Sequence, residues 1–286
     1  MKILGLSALL LLLISCGGTS KGPSKVTAWK LKKGFENPES AYYEPVSKIL
    51  FVSSISGEGT VKDKKGWITT MTPDGVTLKE KWLKGLNAPK GMRARKGVLW
   101  VTDIDRVLAV KIKTGKIIRE YKVPGAKFLN DIVIDSTGTV YFSDTLASKI
   151  FKIKNGKVTV YMKGDHLASP NGLLIKNRIL YVAAWGLTAD WSTKKDGSLY
   201  SINLDTKSIT PISKELGNLD GLEFDLDGNF LISDWVAGKV FRVSRDGLSE
   251  TIHTLAKGSA DIGFIPEKNL IIIPEMLQNH VTAIKN

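Results

Sequence analysis

The chain contains a single cysteine, Cys16. A lone cysteine cannot form an intramolecular disulfide, and it excludes redox motifs and zinc sites that need several thiolates. Only three histidines are present, and none lies in an HExxH zinc motif. The chain also lacks the GxSxG nucleophile elbow of serine hydrolases and the P-loop of nucleotide-binding proteins. The chemistry must therefore come from other side chains.

Long hydrophobic runs are missing after the first fifteen residues. The early run follows Lys2 and is too short for a dependable membrane span, which is typical of a secretory signal peptide. Its ending, LISC followed by two glycines, resembles the lipobox of bacterial lipoproteins. The resemblance implies that residues 1–15 are a signal peptide, that Cys16 is lipidated and that residues 16–25 form a flexible tether. We expect anchoring at the periplasmic side of a bacterial cell envelope, at the outer rather than the inner membrane.

Acidic residues are outnumbered, and the formal net charge is +13. The lysines are scattered among apolar residues, as in KIKTGKIIREYK, where they alternate as the solvent-facing side of strands would. This pattern favours a solvated surface, or one resting against anionic lipid headgroups, over a nucleic-acid site. The partners we expect are a small-molecule substrate and the membrane, with no nucleic acid, and we expect a monomer.

Six copies of one unit follow the tether. Each begins with a short apolar strand, turns at a polar stretch and continues with β-branched or aromatic strands, and no helical periodicity occurs. Repeats of 40 to 50 residues with short strands predict an all-β fold, a six-bladed β-propeller over residues 26–286. The lone strand KVTAWKL is expected to complete the last blade and close the ring. The units begin at Pro38, Pro89, Leu129, Pro170, Leu219 and Ala260.

Equivalent positions in the blades of a propeller converge near its axis. Here those positions hold Glu39, Asn130, Asn171 and Asp220, with Lys90 or Gly91 and Asp261 in the remaining units. The Asn-Gly and Asp-Gly pairs have a simpler interpretation as turns, although Glu is a poor turn former. Oxygen donors with two formal charges suit a hard divalent cation, and Ca²⁺ is the first choice.

Loops on the same face are predicted to form the rim of a pocket. They carry Asp103, Trp185 and Trp235, which are candidate substrate-binding residues, although the tryptophans could instead cap the apolar layer between blades. His166 lies on the segment leading to Asn171 and could act as an acid or base, or could simply be a solvated loop residue.

Together, the stretches NPESAYYEP, FLNDIVIDSTGTVYFSD, SPNGLLI and LDGLEFDLDGNFLISD resemble the SMP-30/gluconolactonase/LRE-like family of six-bladed propellers, from Phe35 to Asn286. The resemblance implies a metal-dependent hydrolase of lactones or related esters. It makes Glu39, Asn171 and Asp220 metal ligands and directs Asn130 to the metal or the substrate. Asp220 is the expected catalytic base, with Asp131 as the second candidate.

Two departures from the family stand out. Sugar lactonases of this family carry an Arg just before the Asn-Asp pair, where this chain has Phe128 and Leu129. The usual Gly after that pair is replaced by Ile132. Ca²⁺ is the expected cofactor, with Mn²⁺ or Zn²⁺ as alternatives. The competing hypothesis is a non-catalytic envelope propeller that binds a ligand or protein and keeps a structural metal.

Overall fold

Each of the six predicted repeats forms one antiparallel blade, of four strands in the first five and of three strands completed by the first strand of the described chain in the sixth. The structure, a computed structural model, describes residues 26–286, in which 24 strands form six four-stranded sheets. The inner strands of neighbouring sheets lie side by side, and the sixth lies beside the first, so the sheets form a closed ring. The predicted six-bladed β-propeller is confirmed. The signal peptide, Cys16 and the tether lie outside the described residues.

The strands are numbered in chain order. The chain opens with β1 (Thr27–Leu31). Blade 1 contains β2 (Pro38–Glu44), β3 (Ile49–Ser54), β4 (Gly66–Met71) and β5 (Thr77–Leu86). Blade 2 contains β6 (Pro89–Arg95), β7 (Val98–Asp103), β8 (Arg106–Lys111) and β9 (Lys116–Lys122). Blade 3 contains β10 (Leu129–Ile134), β11 (Val140–Asp144), β12 (Lys149–Lys154) and β13 (Lys157–Lys163). Blade 4 contains β14 (Pro170–Lys176), β15 (Ile179–Ala184), β16 (Gly197–Asn203) and β17 (Ile209–Gly217). Blade 5 contains β18 (Leu219–Phe224), β19 (Phe230–Asp234), β20 (Lys239–Val243) and β21 (Ser249–Thr254). Blade 6 contains β22 (Gly263–Ile265), β23 (Leu270–Glu275) and β24 (His280–Lys285), and β1 completes it.

Burial decreases from the axis outward within a blade. The second strands β11 and β19 are buried along their whole length, whereas the outermost strand β9 is almost entirely exposed. The core consists of apolar clusters between adjacent sheets, which is where a strand that is apolar on both faces has to be placed. The helical segments among residues 26–286 are three single 3₁₀ turns, at Asp165–Leu167, Pro266–Lys268 and Met276–Gln278. No helix in this part of the chain has the length and apolar character needed to cross a membrane.

The sixth unit was expected to start at Ala260, and its regular strand β22 begins at Gly263. The N–H of Ala260 donates to the carbonyl of Pro274 of the same blade at 3.0 Å. The backbone of the next residue, Asp261, bonds to blade 1, where it receives the N–H of Ala41 at 3.1 Å and donates to the carbonyl of Glu39 at 2.9 Å. These bonds link blade 6 to blade 1.

The ring is closed by its first and last strands. β1 pairs antiparallel with β24, as predicted, so blade 6 combines strands from both ends of the described chain. Trp29 packs beside the core between blades 6 and 1, and its indole N–H donates to the carbonyl of Pro73 at 3.2 Å. The closing strand is therefore fixed to blade 1 as well as to β24.

The alternating strand directions define two faces. The upper face is the one at which the inner strands β2, β6, β10, β14 and β18 begin, and the lower face is the one at which they end. The loops after each second strand and before each inner strand therefore lie on the upper face. The turns after each inner and third strand lie on the lower face.

Candidate functional site

A β-bulge marks the start of five inner strands. A bulge turns a side chain away from the regular alternation, and bulges are common beside functional sites. Each one here brackets the second residue of its strand, which is the position that the sequence singled out. The irregularities lie between Pro38 and Ala41, Pro89 and Met92, Leu129 and Ile132, Pro170 and Gly172, and Leu219 and Leu222.

Three of the predicted ligand residues present buried oxygens that have no hydrogen-bond partner. They are Oε2 of Glu39, Oδ1 of Asn130 and Oδ1 of Asn171, from blades 1, 3 and 4. The amide nitrogens do have acceptors, since Asn171 Nδ2 donates to the Leu219 carbonyl at 3.1 Å and Asn130 Nδ2 to Thr145 Oγ1 at 3.4 Å. A buried acceptor without a donor costs roughly 1–3 kcal/mol. A cation is the group that would satisfy all three oxygens together.

Asp220 is buried at the equivalent position in blade 5. Burial, reinforced by the charge of Asp131, raises the pKa of Asp220 to about 8, although a hydrogen bond from Asn171 and the charge of Lys90 act against the rise. The pKa of Glu39 is raised well above its usual value by burial and by Asp220. The two carboxyl groups therefore face the same interior, where a positive charge would stabilise both.

The pairs Asn171-Gly172 and Asp220-Gly221 lie within strands and not in turns. Gly172 in β14 and Gly221 in β18 both have ordinary negative φ values. A Cβ on Gly172 would overlap the backbone oxygen of Asp220, and one on Gly221 would overlap the backbone of Ile262. These glycines allow inner strands of neighbouring blades to touch, which brings the residues before them close to the axis.

Lys90 supplies a buried ammonium at the position equivalent to Glu39. Its Nζ donates to the carbonyls of Gly59 and Ala88, both at 3.1 Å, and lies 4.1 Å from the ring centroid of Phe128. Burial lowers the pKa of Lys90, and the nearby charge of Glu39 opposes that fall. Lys90 therefore adds a donor to a set of acceptors. The sequence placed it among the equivalent positions but assigned it no role.

Asp131 is buried with both carboxylate oxygens in use. One accepts the backbone N–H of Ile132 and the other that of Leu173, each at 2.6 Å. The second bond joins blade 3 to blade 4. Because both oxygens are engaged in holding strands together, this carboxylate is poorly placed to take a proton from water, and Asp220 is the better candidate base.

An ion pair crosses the ring below the site. Arg93 in β6 and Glu223 in β18 belong to blades 2 and 5, which stand opposite each other, and Nη2 lies 3.0 Å from Oε1. Both residues are three positions beyond the site, which is roughly 10 Å along a strand. Burial raises the pKa of Glu223 to about 7 despite Arg93. Burial lowers the pKa of the Arg93 guanidinium, but the negative charges of Glu223, Asp131 and Asp261 together outweigh it and raise that pKa. No sequence pattern singled out this pair.

Asp103 was expected to bind substrate, and the structure shows its carboxylate engaged within the protein. It is fully buried, and its oxygens accept the backbone N–H groups of Asn87 and Ala88 and the guanidinium of Arg106. Asp144 accepts the N–H of Phe128 in the same way in blade 3. These aspartates hold the connection into each inner strand, so they position the site without lining it.

Aromatic side chains form a continuous strip over the upper face. Phe128 contacts Trp191 at 4.7 Å between ring centroids, Trp191 contacts Trp185 at 5.2 Å, and Trp185 contacts Trp235 at 6.0 Å. Trp185 is buried, whereas Trp191, on the loop 185–196, is 38% exposed with φ +73°. Phe128 joins the strip to Lys90, so the strip reaches the site.

His166 does not join this group of contacts. It is exposed on the 3₁₀ turn Asp165–Leu167, at the upper face of blade 4. The structure records no contact between its imidazole and the axial residues. It matches the alternative of a solvated loop residue.

The donor set fits a hard cation by its chemistry. Among residues 26–286, no cluster of three or more His, Cys, Asp or Glu side chains could hold a metal alone. The candidate site instead combines the carboxylates of Glu39 and Asp220 with the amide oxygens of Asn130 and Asn171. Mixed carboxylate and amide oxygens are what Ca²⁺ accepts, and the unpaired oxygens are those that a cation would bind.

The fold and these side chains define a six-bladed propeller with an oxygen-lined axial site. No protein-family model and no curated protein matches the chain. Among solved structures, a gluconolactonase from Xanthomonas campestris is similar with TM-score 0.65 and 12% identity, over 91% of this chain and 88% of that one. A catalytically inactive virginiamycin B lyase from Staphylococcus aureus, solved with quinupristin, is similar with TM-score 0.61 and 15% identity, over 92% and 98%. A streptogramin B lyase gives TM-score 0.58 and 14% identity, over 90% and 95%. At such identities the likeness shows the shared fold.

Proposed function

We propose that the protein hydrolyses lactones or related small esters at the axial site, with a divalent cation, first of all Ca²⁺, as its cofactor. The observation that carries the proposal is the set of three unpaired buried oxygens on Glu39, Asn130 and Asn171. They come from three separate blades and coincide with the residues that the sequence selected. The fold likeness to a gluconolactonase supports the same class of substrate.

The residues of the axial site would have separate roles in this reaction. Glu39, Asn171, Asp220 and Asn130 would hold the cation, which when bound would polarise an ester carbonyl. Asp220 would accept the proton of the attacking water, since Asp131 is engaged by two backbone amides. Lys90 gives two of its three N–H groups to carbonyls and can offer the third to an oxygen of the ligand.

Substrate access requires a movement at the upper face. The unpaired oxygens have almost no contact with solvent, and Phe128 and Trp191 lie over this end of the ring. Displacement of these rings would open a route to the axis. An apolar or ring-shaped ligand fits an entrance lined by aromatic rings better than a hydrophilic sugar does. The chain also lacks the arginine that the family's sugar lactonases carry before the residue equivalent to Asn130.

A matched set of variants tests the proposal. Ca²⁺, Mn²⁺ or Zn²⁺ at a hundredfold excess over Kd should stabilise the native protein by about 2.7 kcal/mol, measured as a thermal shift. Glu39→Gln and Asp220→Asn should lose that shift and the hydrolysis of a lactone panel. Glu58→Gln and Asp227→Asn, which change exposed carboxylates, should retain both. Unchanged melting of the wild type with every metal would refute the metal site.

A second candidate is a non-catalytic binding propeller with a structural metal. The observation that favours it is closure of the channel, by the aromatic strip above the site and by the Arg93–Glu223 pair below. Under this alternative, metal would still raise the melting temperature. No lactone or ester in the panel would then be hydrolysed faster by wild type than by Asp220→Asn.

We also propose that the protein is anchored to the cell envelope through lipidated Cys16. The support is the lipobox-like sequence LISC, which lies outside the described residues. Mass spectrometry of the membrane fraction should find the mature N-terminus at Cys16 with attached acyl chains. Cys16→Ser should abolish the lipid mass and release the mature protein or leave an uncleaved precursor.

A further inference from the structure

Exposed apolar side chains are concentrated on the face opposite the site. Within residues 26–286, all the large apolar residues that are more than half exposed lie at the lower face. Val46 is 91% exposed and Leu248 is 73% exposed, each on a lower turn. Single exposed apolar residues are ordinary, so the informative feature is that the most exposed ones share one face of the ring. The set is Val26, Val46, Val76, Leu78, Ile118, Leu226 and Leu248.

Basic residues are concentrated on the same face. Three lower turns, 111–116, 154–157 and 176–178, contain seven lysines and arginines and no acidic residue, and the lower turn between the first two carries the buried Asp135. Other acidic side chains of the lower face are paired: Asp74 with Lys268 at 2.8 Å, Asp225 with Arg242 at 3.2 Å, and Asp205 with Arg178. Asp227 and Asp246, on the lower turns of blade 5, are exposed. On the side of blades 2 to 4 the charge left to act on a partner is therefore positive.

A groove between blades 1 and 2 joins the two features. It has a volume of about 980 Å³, and its lining includes Val46, Leu78, Ile118, Lys96, Lys111 and Lys113. Glu44 also lines it, but the Glu44 carboxylate accepts the backbone N–H groups of Val46 and Ser47 at 3.1 and 2.6 Å. Apolar walls beside free ammonium groups suit the boundary between acyl chains and anionic headgroups.

The first described residue of the chain also lies at the lower face. β1 runs from the lower to the upper face because it pairs antiparallel with β24, so Val26 stands at the lower face. The 25 preceding residues, which include Cys16, therefore connect to the protein on the side where the apolar and basic side chains lie.

We propose that the lower face docks on an anionic lipid surface, with the exposed apolar residues at the acyl boundary and the lysines against phosphate groups. The proposal rests on the envelope anchoring proposed above and not on the hydrolase activity. In this orientation the upper face, with the axial site and the aromatic strip, points away from the membrane.

Hydrogen–deuterium exchange tests the docking with the full-length lipidated protein. It is reconstituted on vesicles of phosphatidylcholine alone or mixed with phosphatidylglycerol. With the anionic lipid, amides of turns 45–48, 72–76 and 244–248 should exchange more slowly, while upper loops 55–65 and 185–196 should not change. Protection of the upper loops, or equal exchange on both kinds of vesicle, would overturn the proposal.

Two triple variants with the same change of charge provide the control. K111Q/K113Q/K116Q removes lower-face lysines, and K62Q/K64Q/K65Q removes lysines of an upper loop. At about 1 kcal/mol per lysine near an anionic surface, the first should weaken docking on the order of 100-fold and abolish the protection. The second should leave it intact. Equal effects of the two variants contradict a specific face.

The remaining outcomes identify other occupants. Concentration-dependent protection of the lower turns without vesicles would mean that a second copy of the chain covers this face, and would overturn lipid docking. Failure of the protein to sediment with any vesicle would refute the anchoring at Cys16. Lactone hydrolysis measured on the same samples reports separately on the axial site.

Discussion

Lys90 places a positively charged hydrogen-bond donor among the oxygen acceptors of the axial site. Its buried ammonium lies in the electrostatic field of Glu39 and Asp220, which are also the proposed ligands of a divalent cation. Two positive charges in one low-dielectric cavity repel each other strongly. The lysine and a bound cation would therefore share the same carboxylates.

Lys90→Met should strengthen cation binding. Removal of the ammonium removes the repulsion, and we expect the Kd for Ca²⁺ to fall by roughly tenfold or more, because unit charges a few ångströms apart interact by over 1 kcal/mol at intermediate dielectric. Titration calorimetry measures the change. Lys62→Met, at an upper-loop ammonium paired with Asp105, should leave Kd unaltered. Weaker binding by Lys90→Met would show that the lysine supports the cation.

Gly172→Ala tests whether the inner strands need a residue without a side chain. The added Cβ would overlap the backbone oxygen of Asp220, so strands of blades 4 and 5 must move apart. We expect a loss of about 3 kcal/mol in the free energy of unfolding, measured by urea denaturation. Gly85→Ala provides the comparison, because Gly85 has open space but φ +76°. Its backbone strain alone should cost about 1 kcal/mol. Equal losses would mean that the close approach is unimportant.

At the scale of strands, β6 and β18 are joined across the ring by Arg93 and Glu223. The pKa of Glu223 is raised from 4.5 to about 7, so the folded protein favours the neutral acid. The stability from this group is therefore complete below pH 4.5 and is lost as pH rises through about 7. The loss is on the order of 2 kcal/mol, allowing for the partial exposure of the side chain.

Glu223→Gln should flatten that pH dependence. The amide keeps the shape of the side chain but cannot ionise, so its urea stability should change less between pH 4.5 and 7.5 than that of wild type. Glu250→Gln is a suitable control, because Glu250 also pairs with an arginine, Arg242, but lies 61% exposed. If the stability of Glu223→Gln declined with pH as much as that of wild type, the titration would belong to other groups.

The strands and their order were predictable because each repeat carries the same alternation and turn residues. The axial positions of Glu39, Asn130 and Asn171 followed from that repetition, since equivalent strands must begin on one face. The role of Asp103 did not follow, because its partners are backbone amides, which no side-chain pattern reveals. The Arg93–Glu223 pair was accessible in principle, since both occupy the same position in units two and five. Recognising it required knowing that these units face each other.

At the scale of the whole molecule, the ring depends on one short strand for closure. β1 has five residues and is largely exposed, and Trp29 is its main link to blade 1. Like the other joints between blades, the joint between blades 6 and 1 buries a continuous apolar cluster, so its most exposed element is β1. We therefore expect β1 to separate from β24 before the blades part.

Trp29→Ala tests the attachment of this strand. Loss of the indole packing and of the bond to Pro73 should reduce the free energy of unfolding by about 2–3 kcal/mol, which is less than for a fully buried tryptophan. Native-state hydrogen exchange should show β1 and β24 losing protection before the strands of blades 3 and 4. Trp235→Ala, at the upper face, should not alter exchange in β1. Uniform loss of protection in all blades would contradict a local opening.

The Arg93–Glu223 pair joins opposite blades across the centre of the ring, on the lower side of the axial site. A ligand that reached the axial site from the upper face would therefore have to leave by the same face. Under the proposed hydrolase function, release of the acid and entry of the next ester would use one route, so a bulky product would inhibit turnover by obstructing that route as well as by occupying the proposed ligands.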